Sequence, residues 1–160
     1  MTVAAIVLIL ATCAAAAFDV RTRKIPNALS GGAALAAILV HVPAGAAGVA
    51  LACAAMAAAF LAGSVAFSAG WFGGGDVKLV AACCGLAGLP GAIPLVLDVL
   101  VAGAILAVVT ALARGRFVAL VRSTATVAMH GAPVEQPALP YAVAIAGGSI
   151  AYAVSPLLRF

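Results

Sequence analysis

Two aspartates carry the chemistry open to this chain. Asp19 sits in Phe18-Asp19-Val20-Arg21-Thr22-Arg23-Lys24-Ile25-Pro26-Asn27, and Asp76 in Gly73-Gly74-Gly75-Asp76-Val77-Lys78. Only four acidic residues occur among 160, and the rest is close to an unbroken apolar polymer. An ionisable group at membrane depth is costly, which makes each one a functional candidate. A pair of aspartates can hydrolyse a peptide bond without metal or covalent intermediate. One, ionised, accepts a proton from water; the other, protonated, polarises the scissile carbonyl and assists the leaving amine. Two close carboxylates cannot both ionise cheaply, so they share a proton and titrate as a pair.

Local sequence suggests how each is held. Asp76 opens a helix, where the positive dipole end favours a carboxylate; Asp19 closes one, where the negative end disfavours it. That asymmetry makes Asp76 the expected base and Asp19 the expected acid. Gly73, Gly74 and Gly75 let the backbone turn tightly and let an extended peptide approach. Taken singly, Asp76 would serve as a helix N-cap and Asp19 as a loop acid beside arginines. Their joint placement favours the pair. Asp98 is the nearest rival, expected near the outer end of its helix in a packing or water-contact role. Ser64, Ser68 and Lys78 form no oriented serine–lysine arrangement.

The elements that must position these groups follow from composition. At 67% hydrophobic and 8% charged residues, the chain departs from the roughly one quarter charged of soluble domains. The expectation is an all-α integral membrane protein, one domain over residues 1–160, with about six transmembrane helices of about 20 residues each. Breakers and charges delimit segments near Val3–Phe18, Asn27–Val42, Ala46–Ala69, Asp76–Leu89, Leu95–Ala113 and Leu139–Leu158. Pro26 suits the start of the second, and Leu89-Pro90-Gly91-Ala92-Ile93-Pro94 reads as the turn between the fourth and fifth. Arg114–Pro137 includes Phe117, Val118, Leu120 and Val121, a candidate interfacial helix.

Charge sets topology. Arg21, Arg23, Lys24, Lys78, Arg114, Arg116 and Arg122 fall in loops after the odd segments, and the even loops hold no Lys or Arg. The positive-inside rule makes the odd loops cytoplasmic and both termini extracytoplasmic. Asp19 and Asp76 then share the cytoplasmic face. No Lys or Arg precedes Arg21, so the first run reads as a retained span rather than a cleaved signal. The net charge of +4 serves topology and lipid contact, not nucleic-acid binding. Cys13, Cys53, Cys83 and Cys84 lie in apolar runs without a C-x-x-C pair, and His41 and His130 lack partners. No metal and no cofactor are expected.

These motifs resemble the type IV prepilin peptidases, membrane aspartyl proteases of the G-x-G-D class. Gly73-Gly74-Gly75-Asp76 matches the signature, continued by Val77-Lys78-Leu79. Asp19 through Ile25-Pro26-Asn27 is similar to the family's first motif, and Pro137-Ala138-Leu139-Pro140-Tyr141-Ala142-Val143-Ala144 to the proline-rich start of the last span in short members. The resemblance implies Asp19 and Asp76 as catalytic residues, with Gly73, Gly74, Gly75, Lys78, Pro26 and Asn27 supporting the loop or the substrate. It implies removal of the short basic leader from prepilins or pseudopilins at the bacterial inner membrane. Long members add a methyltransferase region with paired C-x-x-C motifs, for which this chain has neither the cysteines nor the room. The short form serving tight-adherence (Flp) pili is the nearer likeness. Presenilin-like proteases share G-x-G-D but lack the I-P-N element. Arg21, Arg23 and Lys24 would repel a basic leader, while Lys78 would suit an acidic group in the mature segment.

Two other classes compete. A silent pilus or secretion scaffold would not need both aspartates. A small ion-coupled transporter, using Asp98 and Asp76, would place acids near the bilayer midplane in a repeated topology. Neither pattern is evident.

Overall fold

The computed structural model describes residues 2–115 and 140–154, and these are helical apart from short connections. Helix α1 spans Val3–Thr22, α2 Asn27–His41, α3 Gly45–Ser68, α4 Gly74–Ala113 and α5 Tyr141–Val154; a 3-10 turn, Val42–Ala44, joins α2 to α3. The helices are apolar on all sides, with Leu61 67% and Ile93 72% exposed. Outward-facing side chains of that kind belong to a lipid environment. Three helical stretches are long and apolar enough to cross a membrane: Val3–Thr22, Asn27–Ser68 and Gly74–Ala113. The expected interfacial helix at Arg114–Pro137 lies, beyond Gly115, outside the described residues, as do Leu139 and the residues after Val154.

The ends of α1 follow capping rules. Thr2 is the N-cap, its hydroxyl accepting from the Ala5 N–H at 3.3 Å. At the other end Arg23 takes the left-handed conformation (φ 54°) and its N–H donates to the Asp19 carbonyl. The helix therefore runs past Phe18 and carries Asp19 one turn inside its end. Several hydroxyls within the apolar helices bond back to their own backbone, which satisfies them without water. Thr12 donates to Leu8 at 2.8 Å, Ser64 to Phe60 at 2.7 Å and Thr110 to Leu106 at 2.7 Å.

The fourth and fifth expected segments form one helix element broken at Gly88, where φ is 72° and ψ 170°. This corrects the expected turn at residues 89–94. Glycine alone enters that conformation cheaply. Pro90 then falls in the first turn of the second limb, where a missing N–H costs nothing; Pro94 forgoes one helical bond. The chain doubles back at Gly88, because Val80 and Val96 line a common cavity, as do Asp76 and Leu100. In a straight helix Asp76 and Leu100 would stand roughly 36 Å apart.

Close approaches fix the direction of every segment. Gly63 lies against Val77 and Gly74 against Phe67, at the end of α3. Gly88 lies against His41, at the end of α2. Helix α5 runs antiparallel to the second limb of α4: Tyr141 meets Gly103, Gly148 meets Val99 and Tyr152 meets Gly91. Among the described residues six helical segments thus alternate in direction, held by small-residue contacts that let backbones approach. The core joins Leu8 and Ala15 of α1, Ala37 of α2, Ala55 of α3, Leu79, Cys83 and Leu86 of α4, and Ile145 of α5. His41 and Gly88 mark one end of the bundle; Asp19, Asn27 and Asp76 mark the other.

Candidate active site

Asp19 and Asp76 arrive at the same place from different helices. Both line a cavity of about 350 Å³ whose wall includes Gly73, Gly74, Gly75 and Lys24. Asp19 is 8% exposed, so its carboxylate needs a protein partner. It finds one in the last helix: Ala142 N–H donates to Asp19 Oδ2 at 3.2 Å. Ala142 is the second residue of α5, so Asp19 projects onto a helix N-terminus.

Asp76 occupies the third position of α4, with Gly73 as N-cap. Its carboxylate accepts from the Gly73 backbone N–H, the return half of a capping box. It is not itself the N-cap. Both carboxylates therefore meet positive helix ends, and the dipole contrast that would make Asp76 the base and Asp19 the acid is absent. That contrast took Asp19 to face only its own helix, whereas the field it meets belongs to α5.

The supporting residues join the two motifs. Lys78 Nζ donates to Asn27 Oδ1 at 3.0 Å, and a Cβ built at Gly75 would stand 3.3 Å from Ile25 Cβ. Pro26 is the N-cap of α2, and its carbonyl accepts from the Leu29 N–H at 3.0 Å. At Gly73 a Cβ would reach within 2.9 Å of Asp76 Oδ2. At Gly74 the nearest atom, on the Phe67 ring, is 3.5 Å away. The glycine run thus has one close approach to its own aspartate and one to the I-P-N element.

On its other side Asp76 borders an apolar cavity of about 230 Å³, lined by Gly63, Val80, Val96, Leu100, Phe72 and Tyr141 among others. Phe72 and Tyr141 meet edge to face, ring centroids 5.0 Å apart. Neither ring nor Ala142 bears a chemical signature in the sequence; Pro140-Tyr141, a proline before a helix start, is the available signal. Asp76 thus separates a polar cavity, lined by both acids and bases, from an apolar one.

Asp98 is not where the sequence puts it. The second limb begins after Gly88, so Asp98 stands in its third turn, two residues before Leu100 in the cavity beside Asp76. Its Oδ2 is buried without a hydrogen-bond partner among the described residues. Among those residues no cluster of His, Cys, Asp or Glu could hold a metal.

The sequence matches the type IV leader peptidase family over residues 6–108, well over half of the chain and both aspartate motifs. The chain belongs to the type IV leader peptidase family. Membership makes it a protease, a hydrolase, with prepilin-type substrates as the general class. Comparison with curated proteins and with solved structures gave no match.

Proposed function

We propose that this leader peptidase family member is a membrane aspartyl endopeptidase that removes the short basic leader of Flp-type prepilins or pseudopilins. One observation carries the reading: Asp19 and Asp76, from separate helices, line one cavity walled by a bare glycine backbone. In the proposed reaction one carboxylate takes a proton from water as its oxygen attacks the peptide carbonyl carbon. The other, protonated, donates to the carbonyl oxygen, and the C–N bond then breaks as the amine leaves with a proton. The backbone at Gly73–Gly75, bare of side chains, supports pairing with an extended peptide, whose carbonyl is open to attack as a helical one is not.

In this reading residues 1–160 form a single peptidase domain. The six alternating segments are six spans of the inner membrane, with extracytoplasmic termini. The support is charge: at the aspartate end lie Arg21, Arg23, Lys24 and Lys78, whereas the turns at residues 42–45 and 88–90 carry no Lys or Arg. Positive loops stay cytoplasmic, so cleavage occurs at that face. Lys78 and Asn27 act by bracing the loop through their mutual hydrogen bond. The scaffold and transporter readings gain nothing from the geometry, since the first leaves the shared cavity without purpose and the second needs no glycine wall.

Co-expression of the full chain with an Flp-type prepilin, scored by intact mass, tests this. Loss of the leader mass only when the peptidase is present supports the proposal. An unprocessed panel of Flp-type prepilins, with the peptidase present in the membrane, would sink it.

A further inference from the structure

A further groove adjoins the polar cavity at Asp76, sharing Asn27 with it, and extends away from it along three helices. It encloses about 530 Å³ between α2, α3 and the first limb of α4. Each helix contributes one face: Asn27, Ser30 and Ala34 from α2, Cys53, Ala57 and Phe60 from α3, and Lys78 and Ala82 from α4. The spacings are those of side chains stacked on a single helix face. From Asn27 to Ala34 the groove runs roughly 10 Å along the helix axis.

Its two ends differ chemically. Lys78, Asn27 and Ser30 make a polar mouth at the aspartate end of the bundle, and below it the walls are alanine, methionine, phenylalanine and cysteine. Lys78 is exposed and donates one hydrogen bond, to Asn27. An ammonium has three donors, so two remain for an anion. Among the described residues no carboxylate lines the groove to neutralise that charge.

Size decides what fits. A helix with its side chains is about 10–12 Å across, so this volume would hold roughly 6 Å of one, a single turn. The cross-section of a transmembrane helix therefore does not fit inside it, and such a segment or a second copy would only lie across its rim. A flexible hydrocarbon chain does fit. We propose that the groove binds one anionic phospholipid, its phosphate on Lys78 and an acyl chain along Ala34, Ala57 and Phe60. The cation at the mouth selects the headgroup, and the apolar walls hold the tail.

Cys53 reports occupancy directly, because it is exposed and lines the groove. Cys13 is exposed elsewhere and serves as an internal control, while Cys83 and Cys84 are buried. The full chain in detergent is alkylated with N-ethylmaleimide while phosphatidylglycerol or phosphatidylcholine is added. Phosphatidylglycerol is expected to slow Cys53 modification about fivefold more than phosphatidylcholine, the preference one lysine gives near an anionic lipid. Cys13 should react alike in both. Lys78→Gln should abolish the preference, and Ala57→Trp, which fills the groove, should abolish protection by either lipid. Equal protection by the two lipids in the wild type would overturn the proposal, as would a preference that survives Lys78→Gln. Protection by inorganic phosphate alone, or protection that depends on protein concentration, would also overturn it, pointing to a simple anion site or to a second copy. The readout does not use leader cleavage, so it stands apart from the proposed protease activity.

Discussion

The backbone N–H of Ala142 donates to Asp19 Oδ2 at 3.2 Å, joining the first helix to the last across 123 positions. The last helix is thus part of the site, although the family match ends at residue 108. A hydrogen bond to a charged group contributes about 1.5–3 kcal/mol. Ala142→Pro removes the donor at a first-turn position where a helix tolerates proline. It should lower the cleavage rate by roughly ten- to a hundredfold, and thermal unfolding in detergent should shift down as the buried carboxylate loses its partner. Ala142→Ser keeps the N–H and should cleave near the wild-type rate.

The three glycines before Asp76 should not respond alike. At Gly74 an added methyl meets the Phe67 ring at 3.5 Å, an ordinary contact. At Gly75 it meets Ile25 Cβ at 3.3 Å, and at Gly73 it stands 2.9 Å from Asp76 Oδ2. Leader cleavage should therefore fall in the order Gly74→Ala, Gly75→Ala, Gly73→Ala, with the last displacing the carboxylate itself. A flat series would show that backbone approach plays no part.

Gly148 makes a tight approach of α5 to the backbone of α4. A Cβ at Gly148 would stand 2.5 Å from Val99 N and Cα, backbone atoms that cannot swing aside. At Gly147 the nearest atom is Ala102 Cβ at 3.6 Å. Gly148→Ala should destabilise the bundle by about 1–3 kcal/mol through overpacking; Gly147→Ala should not. Thermal unfolding of both variants in the same detergent compares them.

Much of this arrangement is legible in the residues. The two aspartates, the glycine run and the I-P-N element announce themselves because an apolar chain has few residues able to do chemistry. Asn27 and Lys78 lie in those motifs, and their hydrogen bond explains why the motifs belong together. The break at Gly88 is less legible, since Pro90 and Pro94 are stronger turn signals than an isolated glycine. From that misplaced turn followed the misplaced depth of Asp98. Phe72, Tyr141 and Ala142 escaped because aromatic and small apolar residues are unremarkable in such a chain, and a backbone N–H has no sequence signature. The dipole argument for acid and base failed for a similar reason: the N-terminus that Asp19 meets belongs to a helix far along the chain.

The central claim is that Asp19 and Asp76 act as one catalytic unit. Leader removal should be timed by intact mass for Asp19→Asn, Asp76→Asn and the double variant, with Asp98→Asn as the control. Residues that work as a unit are non-additive, so either substitution alone should cost about as much as both together. The account predicts near-complete loss in all three and substantial cleavage by Asp98→Asn. Cleavage retained by either single dyad variant, or losses that multiply in the double variant, would contradict it.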